Sequence, residues 1–399
     1  MKLSLLPIVL LAACGSGPDP STTGGDTAGV LVTGLSGYVG SAVVDGQGQV
    51  YVTADESLDV VRFPPAQPLS SNWGAPPNQP EVELAISGDM LWWASNNGNN
   101  CALWRSPAAS IVSPPPATIG FPGIAGSDVI GLVADATTVY AAVSTPEAPP
   151  PGMLPPTTGP SPDSWQWPGS AAVDTPFAGT IYRIVPGPPT TVQPLAPFGG
   201  ITFYPGLMQH VLAESTTEVY WVDSAHGVSN IGRVMAASKA NWATDIGHAV
   251  GSIQPVDGVA TGFVGLAASD SYVAWTVAPE PNPGSTGCWV WATQKAGAPT
   301  KIFDSDLAQT SFSCNGLAID GTYAYFAMVE VYVPPAGVDS SVLRGTGIAR
   351  VPLAGGPVET ASLQSDRWYG PRRVLVDDTY VYAIDPSYVV RFPKTAFGP

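Results

Sequence analysis

Charge is scarce in this chain. Only 12% of its 399 residues are Asp, Glu, Lys or Arg, about half the share of an ordinary soluble domain. The deficit is on the basic side, with 15 Lys and Arg against 31 Asp and Glu and a formal net charge of −16. No stretch gathers basic residues. Nucleic-acid binding needs Lys and Arg to displace phosphate counterions, so nucleic acid is excluded as a partner class. An anionic membrane surface repels the body of such a protein for the same reason. His is limited to His210, His226 and His248, scattered along the chain. The four Cys contain no C-x-x-C pair, so neither a zinc site nor any other metal is expected. No Gly-x-Ser-x-Gly elbow, phosphate loop or dinucleotide fingerprint occurs in a believable context, and no cofactor is implied. The apolar run at 3–11 is too short to cross a bilayer as a helix.

Gly (44) and Pro (43) are abundant, yet 45% of the chain is hydrophobic. Enough apolar material is present for a core, so the Gly and Pro read as turn punctuation in a strand-rich fold. The chain begins MKLSLLPIVLLAAC. Lys2 is a short positive region, and an apolar segment follows it. Leu11-Ala12-Ala13-Cys14 resembles the bacterial lipobox, which implies cleavage after residue 13 and lipidation of Cys14; the alternative is an ordinary secretory signal. Residues 14–29 are nearly free of apolar side chains and read as a flexible tether. The resemblance implies a lipid-anchored protein of the cell envelope, facing out of the cytoplasm, with the membrane as a partner through the anchor. Gly15 follows Cys14; in Gram-negative lipoproteins the absence of Asp there implies the outer membrane.

A repeat fills residues 30–399. Its clearest copy is 316–357, which runs Gly-Leu-Ala-Ile-Asp, a turn, Ala-Tyr-Phe-Ala, a loop, and Ile-Ala-Arg-Val-Pro. Seven units are anchored at Asp45, Ser87, Asp135, Ser215, Ser269, Asp320 and Asp377. Most spacings match a propeller blade of about 40–50 residues. After a short polar turn comes an aromatic strand, such as Leu91-Trp92-Trp93 or Val219-Tyr220-Trp221. A third strand follows with Arg62, Arg105, Arg183, Arg233, Arg350 or Arg391; the fifth unit has none. A small sheet with two apolar faces cannot stand alone, and radial stacking buries both faces. The expected fold is therefore all-β: a seven-bladed β-propeller, its blades made of four antiparallel strands. The last unit has no room for a fourth strand, so residues 30–33 are expected to supply it and close the ring.

These Tyr-Trp repeats resemble secreted β-propellers of the YWTD, TolB-like and NHL-like families. The nearest match to the full motif is Tyr220-Trp221-Val222-Asp223. The resemblance covers most of 30–399 and implies the architecture without a ligand.

Three insertions, 145–176, 279–287 and 331–345, all fall between the second and third strands of a unit. They should project from one face, where function usually sits on a rigid scaffold. Asp163, Trp165 and Trp167 stand out in the longest: they either stack on a sugar or peptide or pin their own loop to the disc. His210, Asn315 and Arg372 hold equivalent positions just before the first strand and are candidate ligand-binding residues at the channel mouth. The Asp that close the first strands are expected to bond the backbone two residues on. Export permits a disulfide. Cys288 and Cys314 both fall on the loop-rich face of adjacent units and are expected to pair. The expected function is non-enzymatic binding of a protein, peptide or glycan through that face. The alternatives are a lactonase- or lyase-like enzyme at the channel mouth, or a purely structural envelope protein.

Overall fold

In each repeat, apolar and polar side chains alternate with the two-residue period of a strand, and Asp, Ser, Gly and Thr fill the turns. The computed structural model describes residues 29–398, except 34–38, 55–58, 64–66, 71–82, 97–100, 109–116, 121–127, 147–176, 187–189, 196–197, 202–210, 225–231, 243, 246, 254–260, 280–286, 296, 306–311, 333–341, 363–370, 372 and 386–387.

Strand β1 (Gly29–Thr33) comes first. Then β2 (Val39–Val44), β3 (Val50–Ala54), β4 (Asp59–Phe63) and β5 (Gln67–Ser70) form one antiparallel sheet in that order. The second sheet is β6 (Glu83–Ser87), β7 (Met90–Asn96), β8 (Cys101–Pro107) and β9 (Ala117–Gly120). The third is β10 (Asp128–Ala134), β11 (Val139–Pro146), β12 (Phe177–Val185) and β13 (Thr191–Pro194), with β14 (Phe198–Ile201) also on β12. The fourth is β15 (Leu212–Glu214), β16 (Glu218–Ser224), β17 (Gly232–Ser238) and β18 (His248–Ile253). The fifth is β19 (Thr261–Ala268), β20 (Tyr272–Pro279), β21 (Trp289–Gln294) and β22 (Thr300–Asp304). The sixth is β23 (Phe312–Ile319), β24 (Tyr323–Tyr332), β25 (Val342–Pro352) and β26 (Glu359–Ala361). The last is β27 (Arg373–Val376), β28 (Tyr380–Asp385) and β29 (Tyr388–Pro393), with β1 antiparallel to β29 on its outside.

The inner strands touch in a closed circuit, β2 to β6, β10, β15, β19, β23, β27 and back to β2. The fold is an all-β propeller. The expectation of four strands in every blade is corrected. Among the described residues, six sheets have four strands, and the third has five. The reason is length: β12 runs nine residues and outreaches β13, which covers only Tyr182 to Val185. β14 pairs with the remaining edge at Phe177 and Gly179. An uncovered edge of this kind would invite foreign strands.

Hydrophobic side chains fill the spaces between blades. Trp92 and Leu103 pack with Val139 and Ile184 between the second and third sheets. Tyr220 and Val234 pack with Trp275 and Trp289 between the fourth and fifth, and Tyr325 and Ile348 pack with Val381 and Phe392 between the sixth and the last. Trp221, Trp275, Tyr325 and Tyr382 are almost wholly buried. Each such side chain contributes on the order of 2–3 kcal/mol through burial.

The turns between first and second strands explain the repeated Asp. Asp45, Asp135, Asp320 and Asp377 each accept the backbone N–H two residues on, at 2.7–3.0 Å. The Tyr opposite then donates its hydroxyl to three of them: Tyr51 to Asp45, Tyr325 to Asp320 and Tyr382 to Asp377.

The repeated Arg hold their guanidinium groups over aromatic rings. Arg105 lies over Trp92, Arg350 over Tyr323, and Arg391 over Tyr380. One assignment is corrected. Arg62, Arg105, Arg183, Arg350 and Arg391 pair with the aromatic residue of the second strand. Arg233 instead pairs with Asp223, and Ala236 holds the position opposite Tyr220.

Candidate functional site

Every inner strand enters from the face that carries the connections between second and third strands. The residue before the apolar anchor of that strand is Ser41, Glu83, Gly131, Val211, Gly265, Gly316 or Arg373, in blade order. Glu83 and Arg373 open their strands and Ser41 is third in β2. These positions therefore mark the channel mouth on the loop-rich face.

Side chains are absent from this ring where neighbours press closest. A Cβ on Gly131 would lie 2.5 Å from Val211 Cγ2. On Gly316, which has φ of +61°, it would lie 2.7 Å from the backbone nitrogen of Val374. The polar members cluster in one sector spanning the last blade and the first two. Arg373 Nη2 lies 3.4 Å from Glu83 Oε1, reaching across the inner strand of the first blade. Ser41 Oγ donates to Glu83 Oε2 at 3.4 Å and accepts the Leu84 N–H at 3.1 Å. Ser41 N–H donates to Thr53 Oγ1 at 2.7 Å. The side chains of Arg373 and Glu83 are only 5% and 15% exposed. Two such charges must compensate one another, because an unpaired buried charge is costly.

The connections at this end leave from long strands. β24 and β28 start at equivalent tyrosines, Tyr323 and Tyr380, but β24 runs four residues farther. That is about 13 Å of added strand, all at the loop-rich end. Pairing of β24 with β25 continues to Tyr332 and Val342. The expected loop at 331–345 is therefore partly strand, and its remaining residues 333–341 lie outside the described residues. β11 and β12 likewise pair out to Pro146 and Phe177; in the fifth blade the extension is between the first two strands, at Thr261 and Pro279, while β20 and β21 pair only as far as Val277 and Trp289. Cys288 and Cys314 form a disulfide at this end, joining the fifth and sixth blades. Both are buried, and Ser305 Oγ accepts the Cys288 N–H at 2.6 Å.

Cys14, Asp163, Trp165, Trp167, His210 and Arg372 lie outside the described residues. Asn315 sits in β23, paired with Ala327 just before a bulge, and its side chain also lies outside the description. Arg373, one position beyond the expected Arg372, makes the charged contact that sequence reasoning missed. The signal was available: shifting the repeat alignment by one residue brings Ser41, Glu83 and Arg373 into register. Among the described residues, no three His, Cys, Asp or Glu are placed to hold a metal ion.

The opposite face carries polar contacts between several neighbouring blades. Lys239 Nζ bonds Asp135 Oδ2 at 2.9 Å and Glu214 Oε2 at 2.7 Å. Lys295 Nζ bonds Ser215 Oγ and Thr217 Oγ1 at 2.9 Å. Lys394 Nζ bonds Asp320 Oδ2 at 2.8 Å. Each Lys holds one repeat position just past the third strand and reaches the turn of the preceding blade. Burial pushes Asp135 and Asp320 up, but backbone N–H donors and the Lys hold both below the ordinary carboxylate range. Burial raises Glu214 above it. Burial, with Asp135 beside it, lifts Tyr140 to about 12.

No family model matches the chain, and no curated protein matches it. The fold is similar to that of hydrazine synthase from Kuenenia stuttgartiensis, with TM-score 0.52, 13% identity, and coverage of 95% of this chain and 100% of that one. It is also similar to a xyloglucanase from Xanthomonas campestris, with TM-score 0.52, 12% identity and 91% of this chain covered. The chain spans only 53% of that enzyme's length. Virginiamycin B lyase from Staphylococcus aureus gives TM-score 0.49 at 11% identity, covering 92% of this chain and 97% of that one. At these identities the likeness shows the propeller fold alone.

Proposed function

We propose that this chain is a binding propeller of the cell envelope, anchored by lipid at Cys14, whose loop-rich face takes a protein, peptide or glycan. The observation that carries this reading is the pair of hairpins β11–β12 and β24–β25, both lengthened at the loop-rich end. Rigid paired strands that lift variable loops above a disc are a common way to build a recognition surface. Trp165 and Trp167, in the segment between β11 and β12, supply the aromatic faces that sugars and peptides stack on. The Glu83–Arg373 pair at the mouth is compensated internally, which suits a structural part better than a reactive one. The net charge of −16 favours neutral or cationic ligands over polyanions.

An enzyme at the mouth is the second reading, because Glu83 and Arg373 put acid and cation at the channel entrance. Two experiments test the proposal. Palmitate labelling should mark the native chain and not Cys14→Ser, which should leave the membrane fraction. Soluble Cys14→Ser chain on peptide and glycan arrays should retain a discrete ligand class. Turnover of a retained compound, abolished by Glu83→Gln, would overturn the binding reading in favour of the enzyme.

A further inference from the structure

The residues that follow β29 do not trail into solvent. Lys394–Ala396 make one 3-10 turn, and the chain then crosses to the sixth blade. Lys394 Nζ bonds Asp320 Oδ2 in the turn of that blade. Arg350 Nη1 donates to the Lys394 carbonyl at 2.8 Å. Phe397, 8% exposed, meets Tyr325 edge-on at 5.8 Å between ring centroids and lies 4.8 Å under the Arg350 guanidinium. Gly398 then forms a β-bridge with Thr360 beside the outer strand β26, with N–H to carbonyl bonds of 2.8 and 3.2 Å in both directions. The segment is thus fastened to the sixth blade from its inner turn to its outer strand.

β1 is held differently. It pairs with β29 alone among the named strands, and its register breaks between Val30 and Val32. Besides its apolar packing on both neighbours, the last blade therefore has two further attachments, β1 on its outer edge and residues 394–398 on the sixth blade.

We propose that residues 394–398 are a strap that keeps the last blade in the ring when β1 leaves β29, making β1 a releasable outer strand. Loss of β1 leaves the edge of β29 uncovered. Here the β27–β28–β29 sheet stays against the sixth blade through Phe397, Arg350 and Lys394. A pull on the segment before β1 would then peel one strand without opening the disc.

The test is hydrogen–deuterium exchange on the full chain. Expected is exchange of the β1 amides at least tenfold faster than those of β27 and β28, since opening of local units sets such rates. In Phe397→Ala with Gly398→Pro, which removes the ring and one bridge donor, β27 and β28 should accelerate towards the β1 rate. If that variant does not fold, Lys394→Met removes the ion pair with Asp320 and the ammonium over the Tyr325 ring, and should narrow the difference in the same direction. Exchange of β1, β27 and β28 as one unit in the unaltered chain would overturn the proposal. So would a folded strap variant whose β27 and β28 amides keep their protection.

Discussion

Lys239 Nζ of the fourth blade lies 2.9 Å from Asp135 Oδ2 of the third, and its ammonium sits 5.2 Å above the Tyr140 ring. The same cation bonds Glu214, and the Lys239 side chain is 10% exposed. Removing it leaves two carboxylates facing each other in a part-buried place. Lys239→Met should therefore cost about 3 kcal/mol, read as a lowered denaturant midpoint. Adding Glu214→Gln should recover part of the loss. Strict additivity of the two changes would show that the groups do not act together.

Asp320 carries the clearest pH dependence. Its carboxylate accepts N–H groups of Thr322 and Tyr323, the Tyr325 hydroxyl and Lys394. Burial opposes these bonds, yet the net effect is a depressed pKa. A depressed folded-state pKa means the unfolded chain binds the proton first as pH falls. The stabilisation is complete above the ordinary Asp value near ~4 and is lost as pH drops through the lower folded value. Asp320→Asn should remove about 2 kcal/mol at neutral pH and flatten the acid limb of a melting-temperature profile. An unchanged acid limb would contradict the assignment.

Gly316 has φ of +61°, and a Cβ there would meet backbone atoms of Arg373 and Val374 in the next blade. Backbone cannot yield as a flexible side chain does. Gly316→Ala should cost about 1–3 kcal/mol. Gly321→Ala, in the following turn with nothing within 4 Å, should be near neutral. Equal effects at the two positions in thermal unfolding would refute the close-approach argument.

The disulfide closes a loop with a sequence separation of 26 residues, which is worth about 3 kcal/mol in the loop-entropy account. Replacing both Cys288 and Cys314 by Ser should lower stability by that order. Because both sulfurs are buried, mild reductant should leave the folded protein unlabelled by thiol reagents at these positions. Labelling without unfolding would contradict the burial.

The strands and their turns were legible because local rules govern them. An Asp at a turn entry bonds the backbone two residues on wherever it occurs, and the buried tyrosines and tryptophans follow the strand period. What escaped was set by distance or by offsets. Glu83 and Arg373 are 290 residues apart, and no local pattern joins them. Lys239 and Lys295 stand three residues after positions where Ala236 and Ala292 replace the motif's Arg, and Lys394 follows Arg391 at the same offset, so the repeat hides them. β14 arises because a long Pro-rich insertion leaves β12 with an edge to cover. Of the expected ligand-binding residues only Asn315 falls on a described strand, so the polar mouth sector came from the fold.

The most direct measurement is capture of ligand from envelope extracts by three soluble chains. One carries Cys14→Ser alone, one adds a short Gly-Ser linker in place of 147–176, and one adds Lys295→Ala on the opposite face. The account predicts that the first and third retain the same ligand and the second loses it while still folded. Retention by the second chain, or loss by the third alone, would contradict binding through the loop-rich face.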